Sequence, residues 1–101
     1  MSKFTLEKIS TENFEQFYHL LEEDFCVLER KTFEDEKKVL ENSRFIPNYI
    51  CSDGKPVGYI CYWIFEDFLF VEHFAILKEL RDQKVGSSFF KQFLNVRIFI
   101  N

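Results

Sequence analysis

The sequence predicts an α+β domain: a first strand, two helices, an antiparallel meander of three strands, and a closing helix. Three observations carry that reading. Apolar residues recur at helical spacing in the N-terminal part of the chain. From Ile46 the period changes to that of strands punctuated by turn residues, and after Gly86 it returns to helical spacing.

Lys3 to Ile9 alternates Phe4, Leu6 and, less cleanly, Ile9, as a first strand does. Ser10 is placed to cap a helix with Glu12 in its first turn, and Phe14, Phe17, Tyr18 and Leu21 fall at i, i+3, i+4 and i+7, which makes one face apolar. His19 lies beside that stripe and reads as a surface or packing residue. A second helix is expected after Thr32, with Glu34, Asp35 and Glu36 complementing its N-terminal dipole and an end near Asn42. Phe25 to Arg30 between them is ambiguous. Tyr49 to Ser52 and Val57 to Phe65 read as strands joined through Asp53-Gly54-Lys55-Pro56, a strong hairpin signal. Glu66-Asp67 makes the next turn, and Phe68 to Leu77 the next strand.

At 101 residues the chain is one domain's worth, and its 14 phenylalanines offset the limited burial open to so small a domain. A net charge of −4 argues against a DNA or RNA partner, which calls for a basic patch. The acidic excess lies up to Asn42, where 11 acidic residues face six basic ones; beyond it there are six and seven. Solvated helix faces account for such a distribution, and attraction of an amine is the second reading. Cys26, Cys51 and Cys61 have no C-x-x-C spacing, so neither a disulfide framework nor a metal site is suggested, and buried thiols in a reducing cytoplasm are expected. No apolar run approaches the roughly 20 residues of a membrane span.

The most informative stretch is Phe70 to Phe90. A strand feeds a compact charged loop, Arg81-Asp82-Gln83-Lys84-Val85-Gly86-Ser87-Ser88, and then a helix, so several free backbone N–H groups converge where the helix dipole favours an anion. An ordinary strand-loop-helix connection, with Gly86 easing a turn, is the bland alternative. If Phe68 to Ile76 is extended, Phe70, Glu72 and Phe74 share one face and Val71, His73 and Ala75 the other. Glu72 then sits among Phe70, Phe74 and Trp63, where desolvation would raise its pKa towards neutrality; a salt-bridged or edge-exposed strand glutamate is the alternative. His73 reads as structural, packed under a helix.

Glu72-His73-Phe74-Ala75-Ile76, followed after four residues by Arg81-x-x-Lys84-x-Gly86-Ser87, resembles the acetyl-CoA signature of the GNAT (GCN5-related) N-acetyltransferases. Their core pattern is Arg/Gln-x-x-Gly-x-Gly/Ala at the start of the helix after the fourth strand. Arg81 and Gly86 match it, and Lys84 stands where the first glycine is usual. The resemblance implies a mixed sheet with an antiparallel meander flanked by helices, with the C-terminal third of the family fold missing. It implies acetyl-CoA as co-substrate and no metal. Direct attack of a primary amine on the thioester is implied, with Glu72 as general base. Ala75 and Ile76 would meet the pantetheine arm, and Arg81, Asp82, Gln83, Lys84, Val85, Gly86, Ser87 and Ser88 would surround the pyrophosphate. A catalytically incomplete acyl-CoA-binding or dimer-forming module is the alternative. In relatives a tyrosine after the fifth strand protonates the leaving thiolate, and the chain has no counterpart. Either the tail with Val96 to Ile100 is an abbreviated fifth strand or the chain is a truncated member; truncation is the expectation, because a helix from Gly86 would usually run well beyond Leu94. A homodimer through the exposed edge of the fourth strand is expected.

Overall fold

The computed structural model describes residues 4–100, with side chains described as far as residue 95. In chain order the elements are β1 (Phe4–Lys8), α1 (Phe14–Asp24), α2 (Phe33–Val39), β2 (Phe45–Ser52), β3 (Lys55–Ile64), β4 (Leu69–Ile76), a short 3-10 turn (Lys78–Leu80) and α3 (Val85–Ile100). The strands form one sheet in the order β1-β2-β3-β4, antiparallel throughout. β1 and β4 are therefore its two edges.

α1 begins at Phe14, three residues later than a Ser10 cap implies. Ser10 instead donates its N–H to Asn13 Oδ1 at 2.8 Å, and Asn13 stands at the cap position. The apolar face of α1 is as expected, with Phe14, Phe17, Tyr18 and Leu21 buried. Thr32 caps α2, its Oγ1 accepting from the Asp35 N–H at 3.2 Å. The connection from Phe25 to Lys31 is held from beneath by Tyr18, whose hydroxyl donates to the Lys31 carbonyl at 2.6 Å and accepts from Arg30 at 3.0 Å.

β2 starts at Phe45, earlier than the pattern suggests, because Pro47 is tolerated inside it. Its carbonyl accepts from the Ile9 N–H at 3.0 Å just past the end of β1, so the missing proline N–H falls where that ladder has already stopped. Asp53 and Gly54 both have positive φ, 54° and 79°, which makes the β2–β3 connection the two-residue mirror-image turn that Asp-Gly favours.

The sheet is covered on both faces. On one, α1 packs Phe14, Phe17, Tyr18 and Leu21 against Tyr49, Tyr59 and Cys61, and α2 adds Phe33 and Val39. On the other, Phe89 and Phe93 of α3 pack against Ile50, Ile60 and Tyr62. Gln92 ties α3 to β1, donating to the Phe4 carbonyl at 3.0 Å and accepting from the Phe4 N–H at 3.3 Å. α3 continues to Ile100, so Val96 to Ile100 is helical and the fifth-strand alternative is overturned: no Gly or Pro between Ser87 and Ile100 stops the helix. No helix among the described residues is long and apolar enough to cross a membrane.

Candidate active site on the free edge of the sheet

The site is organised by the outer edge of β4. The Leu77 N–H donates to the Val57 carbonyl at 2.8 Å directly across the ladder, and the register continues Gly58↔Ile76, Tyr59↔Ala75, Ile60↔Phe74. Hydrogen-bonded and non-hydrogen-bonded pairs alternate in such a ladder. The backbone groups of Ala75 therefore face Tyr59, and those of Phe74 and Ile76 face outward. This corrects the expectation that Ala75 offers its backbone to a ligand, and it adds Phe74, which period-two counting from one known pairing would have found. The Ile76 carbonyl already accepts from Arg81 Nε at 2.8 Å. β3 can approach this part of β4 because residue 58 is glycine, since a Cβ there would run into the Ala75 carbonyl.

Between Cys61↔His73 and Tyr62↔Val71 the register slips by one residue, leaving Glu72 without an opposite partner. This β-bulge re-aims the side chains. Phe74 stacks on Phe90 on the α3 side, with ring centroids 5.5 Å apart, whereas His73 packs on Phe25 at 4.6 Å, on the α1–α2 side. Glu72 also turns to the α1–α2 side: its Oε1 accepts from Trp63 Nε1 at 2.9 Å and its Oε2 from Lys31 Nζ at 2.8 Å. Strict alternation, which grouped Glu72 with Phe74 and opposite His73, fails at the bulge. His73 is buried, its Nε2 3.4 Å from the Glu29 carbonyl.

The electrostatics also differ from expectation. Burial pushes the Glu72 carboxyl up, but hydrogen bonds from Lys31 and Trp63, with the Lys31 charge, outweigh it and hold the group below its ordinary value. Burial lowers Lys31, and the Glu72 hydrogen bond and charge more than reverse this, so its ammonium is held above its usual range. The carboxyl that burial does raise is Glu36, fully buried, with neither oxygen hydrogen-bonded among the described residues and with Lys31 and Glu72 within electrostatic range. Reading Glu36 only as a helix-dipole residue missed this. The signal was its place at i+3 from Phe33 and i−4 from Leu40, on the apolar stripe of α2.

The Arg81–Ser88 loop leads from β4 into α3. The Ser88 N–H donates to the Lys84 carbonyl at 3.1 Å, so the Val85, Gly86 and Ser87 N–H groups precede the first intrahelical bond. Asp82 and Lys84 have φ of 66° and 62°, in the left-handed region. A Cβ on Gly86 would meet Ile76 Cγ1 at 3.3 Å, so the glycine lets α3 start directly against the end of β4. Arg81 turns away from the helix start: its guanidinium binds Asp24 at 2.7 Å, and the other Asp24 oxygen accepts from the Tyr59 hydroxyl at 2.7 Å. Beside this network a cleft of about 340 Å³ opens between α1 and the end of β4, lined by Gln16, Leu20, Asp24, Tyr49, Gly58 and Leu77 among others. Among the described residues no His, Cys, Asp and Glu side chains cluster to hold a metal ion.

A free strand edge with a bulge, running into a loop and a helix start, is one continuous arrangement, and the sequence profile of the acetyltransferase (GNAT) family matches residues 14–96, across all of it. The chain belongs to the GNAT acetyltransferase family. Among solved structures it is similar to a Bacteroides thetaiotaomicron protein described as a GNAT-family acetyltransferase, at 29% identity and a TM-score of 0.78, over 93% of this chain and 55% of that one. The chain thus spans little more than half of that relative's length. Two further structures share the fold. One is AAC(6')-Iy in complex with the bisubstrate analog CoA-S-monomethyl-acetylneamine (14% identity, TM-score 0.66, 93% and 71% covered). The other is the aminoglycoside acetyltransferase meta-AAC0020 from an uncultured soil metagenomic sample in complex with sisomicin (16% identity, TM-score 0.62, 92% and 68% covered). No curated protein matches the chain. Within the GNAT pattern, the left-handed backbone of Lys84 gives the physical reason a glycine is usual there: a side chain at that φ is strained.

Proposed function

We propose that the chain binds acetyl-CoA along the outer edge of β4 and at the start of α3, and transfers the acetyl group to a primary amine by direct attack on the thioester. The observation that carries this is the continuity of the outward backbone groups of Phe74 and Ile76 with the unbonded N–H groups of Val85, Gly86 and Ser87. The pantetheine arm extends the sheet edge as an added strand does, and the pyrophosphate sits at the helix start within the Arg81–Ser88 loop. Lys84 adds charge there, and Arg81 reaches the phosphates by leaving Asp24. Glu72 at the bulge takes the proton of the attacking amine. While Lys31 holds it, Glu72 is too weak a base. Once that ammonium is neutralised, two of the influences that lower the carboxyl are gone and burial pushes it up against the Trp63 hydrogen bond and the His73 ring, in the direction a base requires. AAC(6')-Iy, with its bisubstrate analog, supports a fold that seats acyl donor and amine together.

A second reading, acyl-CoA binding without turnover, is favoured by the occupied state of Glu72. The unpaired thiols Cys26, Cys51 and Cys61 support placement in the cytoplasm. Phe68 and Phe70, exposed beside the open edge of β4, support a homodimer.

Isothermal calorimetry with acetyl-CoA tests the binding site. Because a side chain at residue 86 would crowd Ile76, the charge probe belongs at exposed Ser87. Ser87→Asp suits the helix dipole yet repels phosphate, so affinity should fall at least tenfold, about 1.4 kcal/mol, in a folded protein. Unchanged affinity sinks the assignment. Glu72→Gln separates the two readings: turnover of an amine should drop roughly 10² to 10⁴ fold at similar affinity. A wild-type chain that binds and never turns over leaves the second reading standing.

A further inference from the structure

An acceptor amine must reach hydrogen-bond distance of the group that takes its proton, and one amine of this chain is already there. Lys31 Nζ lies 2.8 Å from Glu72 Oε2, at the bulge of the edge strand along which the acyl donor is placed. Its side chain is 37% exposed and that of Glu72 20%, so the pair lies at the surface of the sheet edge and not sealed beneath it. Lys31 also sits outside both helices, in the connection between α1 and α2. Its backbone is pinned by the Tyr18 hydroxyl, which fixes where the ammonium can reach.

We propose that Lys31 is an acetylation site of this protein, modified by the acetyl-CoA that its own chain binds. The inference rests on the acyl-CoA reading of the β4 edge and names one acceptor for it. Seating the acyl donor over the pair removes water and disfavours both charged forms, so the ammonium gives one proton to Glu72 and the Nζ lone pair attacks the thioester carbonyl carbon. The new C–N bond forms as the C–S bond breaks. The second Nζ proton ends on the departing thiolate as CoA–SH, and Glu72 returns the first to solvent. Acetylation also removes a positive charge from beside two carboxyls. Glu72 and the buried Glu36 both lose the cation that lowered them, so each carboxyl holds its proton more tightly than before. Modification of Lys31 therefore converts Glu72 from the partner of an internal lysine into a base free to meet another amine.

The comparison with other lysines makes the reaction identifiable. Chemical acetylation by a free donor favours exposed amines such as Lys37 and Lys38, which have no ion pair among the described residues, and disfavours an ion-paired ammonium. The test incubates the purified chain with acetyl-CoA and maps acetyl-lysines by peptide mass spectrometry over time, with calorimetric titration of acetyl-CoA alongside. Acetyl on Lys31 should accumulate at least tenfold faster than on Lys37 or Lys38. Glu72→Gln should abolish that preference while acetyl-CoA affinity stays similar. Lys31→Arg, which keeps the cation, should leave the other lysines unchanged. Measured acetyl-CoA binding with Lys31 labelled no faster than Lys37 and Lys38, or a preference that survives Glu72→Gln, overturns the proposal and leaves the acyl-CoA reading intact. Absence of acetyl-CoA binding overturns both.

Discussion

Lys84 carries a side chain where the GNAT pattern has glycine, and its φ of 62° makes the consequence measurable. A non-glycine residue in the left-handed region costs roughly 1–2 kcal/mol. Glycine removes that strain but loses about 0.4–1 kcal/mol through the greater freedom of the unfolded chain. Lys84→Gly should therefore gain about 0.8 kcal/mol from backbone strain alone at the midpoints of these ranges, within limits of about 0–1.6 kcal/mol. Lys84 also places a cation at the positive end of α3, so any replacement by a neutral residue gains a further few tenths to about 1 kcal/mol at low salt. Lys84→Gln isolates that charge effect, because it keeps the strained side chain. The expected order of stability is Lys84→Gly, then Lys84→Gln, then the parent. The glycine variant should exceed the glutamine variant by about 0.8 kcal/mol, a few degrees in Tm for a domain of this size. Urea unfolding followed by the fluorescence of Trp63 reads it. A glycine variant no more stable than the glutamine variant refutes the left-handed loop and, with it, the explanation of the family's glycine. The same pair titrated with acetyl-CoA should bind more weakly than the parent if the lysine charge serves the pyrophosphate.

Burial raises the Glu36 carboxyl, so the folded chain holds this proton to higher pH than the unfolded chain does, and folding stability falls as pH rises from about 4.5 through the raised value. Urea midpoints at pH 5 and pH 8 should show Glu36→Gln gaining stability over the parent at the higher pH, and an equal difference at both would disprove the buried acid. Gly58→Ala forces a Cβ into the Ala75 carbonyl, and a loss of about 1–3 kcal/mol in thermal unfolding is expected; tolerance would mean that β3 and β4 are further apart than described. Light scattering at micromolar concentration should find a dimer that Phe70→Lys disperses, and a monomeric parent chain would remove the role assigned to the open edge.

The order of elements was legible in the sequence because it depends on local periodicity and turn chemistry. The stripe from Phe14 to Leu21, the Thr32 cap and the Asp53-Gly54 turn each act over a few residues, and each stands where the pattern puts it. The start of α3 against the end of β4 was legible for the same reason. The chemistry of the site was not, because it depends on register and on partners distant in sequence. One unpaired residue at the β4 bulge brings Glu72 to the face of His73, and one long-range contact with Lys31 reverses the direction of its pKa. Arg81, read as a phosphate ligand, is joined to Asp24 across 57 positions of sequence. Glu36 looked like a solvated helix-start acid until α2 packed against the sheet and buried it. Local spacing determines which face of a helix or strand is apolar. Only the packed sheet decides which charges meet there and how far from water they are held, as it does for Glu72 and Lys31.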